Sequence, residues 1–247
     1  MDALTSTAAS GLRARMESLE MLANNLANVS TDGFKIDRES YSLYLSPEAL
    51  DPAGDGTIST PPVIERHWTD FTQGMLRSTG SPLDLALSGR GLFVVSGPNG
   101  RMYTRNGRFR LSAEGVLSTE EGYAVGAIGG ETIQAQSSGP IEVAPDGTVS
   151  QDGQMLGRLE IVDFNDAGAL TKHGATYFKA SDGQTPIAAP TSTEVRQGKV
   201  EGSNVTSAEA AVRLIGVMRQ FEMLQRAITL GSEMNRKAIE EVAKTGS

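Results

Sequence analysis

Hydrophobic positions recur with helical spacing at both ends of the chain and with a different rhythm between them. Near the start, Leu12, Leu19 and Leu26 repeat every seven residues, while Ala8, Leu22 and Val29 occupy the adjoining seam position and Arg15 interrupts it. The spacing puts the leucines on one face and predicts an amphipathic helix over roughly residues 4–29. Toward the other end, Leu214, Val217, Phe221, Leu224 and Ile228 follow at alternating steps of three and four, with Arg213, Arg219, Glu222, Arg226, Glu233 and Arg236 elsewhere on the turn. A second helix over roughly 206–244 follows, opened by Thr206-Ser207-Ala208-Glu209 as a capping box. Val212, Ile215, Met218 and Met223 lie outside its seam, so a single intramolecular partner would leave apolar surface in water. Periodicity alone fits both a core helix on the middle region and packing between chains; the matched pattern of the two ends favours assembly.

The middle reads as short strands punctuated by turns. Gly91-Leu92-Phe93-Val94-Val95 precedes Pro98-Asn99-Gly100, then Met102-Tyr103-Thr104-Arg105, Asn106-Gly107 and Arg108-Phe109-Arg110-Leu111. Asn-Gly predicts tight hairpins, since both central residues of a type I′ turn need positive φ. Glu121-Gly122, Gly129-Gly130, Pro145-Asp146-Gly147 and Asp152-Gly153 continue the series, with Leu159, Ile161 and Phe164 alternating against polar neighbours. Thr31-Asp32-Gly33 predicts a glycine C-cap for the first helix. Asn24, Asn25 and Asn28 are poor helix formers read either as a fraying end or as interface. Pro47, Pro52, Gly54, Gly56, Pro61 and Pro62 make about 46–62 an extended linker.

Composition narrows the classes. At 247 residues and 38% hydrophobic content the chain supports a sizeable core. A net charge of −8 without a basic run argues against nucleic acid, whose phosphates draw on clustered Lys and Arg. There is no cysteine, so disulfides and thiolate metal sites are excluded. The start of the chain lacks a basic stretch followed by an apolar one, and no apolar run approaches the ~18 residues of a membrane span, so neither a cleaved signal nor direct membrane insertion is expected.

Chemistry finds little foothold. His67, beside Trp68, and His173, in the turn-like Thr171-Lys172-His173-Gly174, are the only imidazole bases, and neither neighbours a nucleophile elbow. No P-loop is present, and Gly89-Arg90-Gly91 lacks the rest of a dinucleotide fingerprint. Asp163, Asn165 and Gly168 match part of a calcium loop, but Ala167 and Gly174 stand at ligand positions. Asp51, Asp55, Asp146 and Asp152 are explained as turn residues. No catalytic residue, cofactor or metal site is expected.

Ala23-Asn24-Asn25-Leu26-Ala27-Asn28-Val29-Ser30-Thr31-Asp32-Gly33-Phe34-Lys35 resembles the signature segment of the flagellar basal-body rod and hook proteins. Pro82-Leu83-Asp84-Leu85-Ala86-Leu87 with Gly91–Val95, Tyr103–Phe109 and Val200-Glu201-Gly202-Ser203-Asn204-Val205 resemble the same family in the same order. The resemblance spans nearly the whole chain, with Asn24, Asn25, Leu26, Ala27, Asn28, Gly33 and Phe34 as its signature positions. It implies an α+β fold in which the terminal helices pair as an antiparallel coiled coil around a central irregular antiparallel β domain. The implied boundaries are 1–34 and 199–247 for the helical domain, 35–70 for the linker and 71–198 for the outer β domain. It further implies a non-enzymatic subunit of a helical tube that transmits torque, exported through the flagellar type III apparatus into the periplasmic rod. Its partners would be itself, other rod subunits and that apparatus. Leu12, Leu19, Leu22, Leu26, Leu214, Val217, Phe221, Leu224 and Ile228 are then the expected assembly interface. Arg219-Gln220-Phe221-Glu222-Met223 is more similar to proximal-rod than to distal-rod members. The residues alone leave a distal-rod or hook-type subunit, a secreted β-rich binding module and an enzyme as alternatives.

Overall fold

The computed structural model describes residues 3–43, 62–98, 100–181 and 183–245. The chain divides into two compact units, one of residues 1–26, 37–68 and 207–247, the other of 27–36 and 69–206. It therefore passes between them at four points.

The first unit holds helix α1 (Ala3–Ala27), helix α2 (Ser207–Thr245) and a two-stranded sheet of β1 (Asp37–Leu43) and β2 (Pro62–Thr69). Helix α2 begins directly after Thr206, where the capping sequence places its start. The stretch expected as linker, 35–70, thus carries a strand at each end, and residues 44–61 of it lie outside the described residues.

The second unit is built of β-strands, with one 3-10 turn at Ala167–Ala169. Its largest sheet has nine strands: β5 (Leu92–Gly97), β6 (Gly100–Thr104), β7 (Phe109–Leu111), β8 (Leu117–Thr119), β9 (Ala124–Val125), β13 (Ile161–Asp163), β14 (Thr171–His173), β15 (Tyr177–Lys179) and β16 (Ile187–Ala188). Beside it, β10 (Ile141–Val143), β11 (Thr148–Gln151) and β12 (Gln154–Arg158) form an antiparallel meander. Two further antiparallel pairs join β4 (Leu85–Ser88) to β17 (Glu194–Gln197) and β3 (Leu76–Ser78) to β18 (Lys199–Glu201).

Strand β5 sits between two cores. Phe93 and Val95 enter a cluster with Leu85, Leu87, Leu117 and Val149, while Leu92 and Val94 enter another with Tyr103, Phe164 and Phe178. Both faces are buried, which is why the strand reads as an unbroken apolar run instead of an alternating one.

The turns divide into those the sequence placed correctly and two it did not. Asp152 and Gly153 both take positive φ between β11 and β12, and Gly147 does so between β10 and β11. Strands β5 and β6 pair antiparallel, with Gly97 opposite Gly100. Asn106-Gly107, in contrast, makes no hairpin: β6 pairs with β5 and β15, and β7 pairs with β8. The glycine is required by proximity, since a Cβ at Gly107 would lie 1.6 Å from the Leu85 carbonyl oxygen. Gly33 likewise is no helix cap. Helix α1 ends at Ala27, and Gly33, at φ 72°, donates its N–H to the Glu201 carbonyl at 2.6 Å while the Asn106 backbone occupies the space a Cβ would take.

Candidate functional site

Within the first unit, the face of α1 that is most deeply covered is Gly11, Ala14, Ser18, Leu22 and Asn25, at helical steps of three and four. Leu12, Leu19 and Leu26 lie beside it, half-buried. The covered face is partly polar because it meets the backbone and side chains of β1. Ser18 donates its hydroxyl to Glu39 at 2.6 Å. The Asn25 amide donates to the Asp37 carbonyl at 2.9 Å and accepts from the Asp37 N–H at 3.0 Å, bonding the strand as another backbone would. Asn25 is therefore no fraying residue. Asn24 and Ala27 are exposed, and half-buried Asn28 accepts a bond from the Thr31 hydroxyl at 3.1 Å.

On α2, Leu214, Val217, Phe221, Leu224 and Ile228 form one half-buried line along the helix. Val212, Met223, Leu230 and Met234 are each more than 60% exposed, and Ile215 and Met218 are exposed too. A cleft of about 420 Å³ lies in this unit, bounded by Arg15 and Leu22 of α1, Arg38 of β1, Trp68 of β2, and Arg213 and Gly216 of α2. The apolar line is thus left half in water, with further large apolar side chains exposed beyond it.

The second unit contains a site that sequence reasoning missed. Phe34 and Lys35 of the signature segment are wholly buried. The Lys35 ammonium donates to Glu201 at 2.6 Å and to the Thr72 carbonyl at 2.7 Å. Glu201, also fully buried, accepts from the Gly74 N–H at 2.8 Å and from Arg105 at 3.0 Å, and Arg105 reaches the Gly89 carbonyl at 2.7 Å. Burial pushes both Lys35 and Arg105 below their ordinary values, against the pull of the Glu201 carboxylate. Two cations thus share one anion away from water, an arrangement that holds only while every partner is in place.

Two other groups extend this junction. Asp32 accepts from Arg77 and from Arg108, both at 2.6 Å, and its bond raises the Arg108 value. The Asn204 side chain accepts from the Ile36 N–H at 2.8 Å and donates to the Asp70 carbonyl at 2.8 Å, while Asp70 N–H bonds the Ile36 carbonyl at 2.9 Å. Three of the four points at which the chain leaves this unit, after Ile36, before Thr69 and after Thr206, are therefore gathered around one amide. The signal was present: Lys35, Arg105, Glu201 and Asn204 all lie in the segments that carried the family resemblance. What the sequence could not show is that residues 166 positions apart meet.

The residues weighed for chemistry are dispersed. His67 is exposed on β2, and His173 is exposed on β14 instead of lying in a turn. Asp163 pairs with Arg90 at 3.1 Å. Among the described residues no group of three or more His, Asp or Glu is placed to hold a metal ion, and no helix is long and apolar enough to cross a membrane.

Comparison with known proteins bears on the same segments. Residues 6–35 match the model of the flagella basal body rod protein, 86–151 the flagellar hook protein FlgE/F/G D1 domain, and 196–241 the flagellar basal body rod FlgEFG protein C-terminal. A flagellar basal-body rod protein FlgF of Caulobacter vibrioides is 34% identical over 92% of both chains. A flagellar basal-body rod protein FlgG of Buchnera aphidicola is 32% identical over 92% of this chain and 95% of its own. FlgF of Mesorhizobium japonicum is 30% identical over 83% of each. With relatives matched almost end to end and the buried junction built from the shared segments, the chain belongs to the flagellar basal-body rod protein family, as a structural rod subunit of the proximal-rod type.

Proposed function

We propose that this rod subunit polymerises through its terminal helices into a helical tube that transmits torque, with α1 and α2 pairing as an antiparallel coiled coil and residues 71–198 turned outward. The supporting observation is the half-buried line Leu214, Val217, Phe221, Leu224 and Ile228, together with Leu12, Leu19, Leu22 and Leu26 of α1, on helices that keep large apolar side chains in water. Its partners are copies of itself and other rod subunits, and it acts without catalysis or cofactor. The chain reaches the periplasmic rod through the flagellar type III apparatus.

Leu26→Asp and Phe221→Asp test the reading, since each puts a charge in an apolar seam. Each variant is expected to lose motility and rod assembly while the purified chain keeps its β-sheet circular dichroism. Normal motility in both would overturn the interface.

A further inference from the structure

Helix α2 carries a second line of positions on the side away from its half-buried one: Val212, Gly216, Arg219, Met223, Ala227 and Leu230, all exposed. A Cβ placed on Gly216 would meet nothing within 4 Å. Nothing among the described residues therefore requires glycine there, although glycine inside a helix is unfavourable relative to alanine. The glycine borders the cleft described above, and its missing side chain leaves room for a close neighbour from outside the chain. Helix α1 has a matching exposed line, Ala9, Arg13, Met16, Glu20 and Ala23, on the side away from its covered face.

We infer that the exposed line of α2 is covered, antiparallel, by the exposed line of α1 from a second copy of this chain. Run backwards, α1 steps by three and four from Ala23 to Glu20 to Met16, as α2 does from Gly216 to Arg219 to Met223. Ala23 then faces Gly216, which lets the two backbones approach; Glu20 faces Arg219, the one charged residue of the α2 line; and Met16 faces Met223. The register slips by one residue at Arg13 and Ala227 and returns at Ala9 and Leu230. A parallel arrangement that keeps Glu20 on Arg219 would set Met16 beside Gly216 and Ala23 beside Met223, so no pair of small residues would let the backbones approach. Two α2 lines facing each other would supply no carboxylate for Arg219. The contact joins different surfaces of the two copies, so it repeats head to tail and generates a ring or a filament instead of a closed pair. It rests on the proposed polymerisation through the terminal helices and specifies which faces meet.

The chain has no cysteine of its own, so introduced thiols report cleanly. Full-length Ala23→Cys and Gly216→Cys, each on a separate chain, are co-produced, and basal bodies are isolated and oxidised. A disulfide-linked dimer containing one chain of each kind is expected, because a disulfide needs Cα atoms within about 7 Å. Met16→Cys with Met223→Cys should give the same product if Gly216 tolerates no side chain. Glu20→Arg or Arg219→Glu added alone should lose the dimer band, and the two together should restore it. Dimers formed only between two Gly216→Cys chains, or no mixed dimer from either pair, would overturn the register. If Phe221→Asp blocks assembly while the mixed dimer is missing, this pairing fails and helical polymerisation stands; if Phe221→Asp assembles normally, the reading beneath fails.

Discussion

Glu201 is the residue on which the second unit depends most. Lys35 and Arg105 are held beside it at 0% and 3% side-chain exposure, so removing the carboxylate leaves two cations with neither water nor an anion. Breaking such a buried cluster costs about 3–5 kcal/mol, and Glu201→Gln should lower stability by that amount in urea unfolding. A loss under about 1 kcal/mol would mean that the cations find other partners. Tyr177 is set up differently: burial, with a bond to the Glu121 carboxylate, raises its phenol above the ordinary value. Above about pH 10 the unfolded chain gives up a proton that the folded chain retains. The folded state then binds more protons, so stability is complete below that pH and falls as pH rises beyond it. Tyr177→Phe should flatten this part of the decline, measured as the urea midpoint from about pH 9 to about pH 11.

At the scale of elements, legibility followed the range of the interactions. The helices and the Asp152-Gly153 turn depend on neighbours a few residues apart, and periodicity with turn chemistry placed them. Asn106-Gly107 and Gly33 failed because those glycines answer to distant backbone, the Leu85 carbonyl and the Asn106 amide, and not to a local turn. The strands β1 and β2 were hidden by proline and glycine between them. For α1, the leucine repeat named the helix but not its covered face, since Ser18 and Asn25 are buried by bonds to β1 that no hydrophobic scale registers. Helix α2 supplies a test at this scale. With open space around Gly216, Gly216→Ala should stabilise the helix of the dilute monomer by roughly 0.5–1 kcal/mol. The measurement is the thermal melt followed at 222 nm; a melt lower than wild type would show that the monomer itself needs the glycine.

For the whole molecule, the division into units alters where the helical ends stop. The sequence reading placed the boundary at residue 34, yet Gly33, Phe34 and Lys35 belong to the β unit and are buried in it. Trypsin can distinguish these positions, because cleavage needs a stretch of backbone that opens locally at low cost. Arg13 on α1 and Arg213 and Arg236 on α2 carry side chains that are 83%, 53% and 73% exposed, whereas Lys35 is fully enclosed with its ammonium on Glu201. In the dilute monomer, cleavage after Arg13 and within α2 should therefore run well ahead of cleavage after Lys35. The Glu201→Gln variant should bring Lys35 into the early set, since the carboxylate that holds the ammonium is gone. Assembly should protect Arg13 and α2 without changing the slow site. Fast cleavage after Lys35 in the wild-type monomer, resolved by mass spectrometry of the first fragments, would place the signature segment with the helices instead of the β unit.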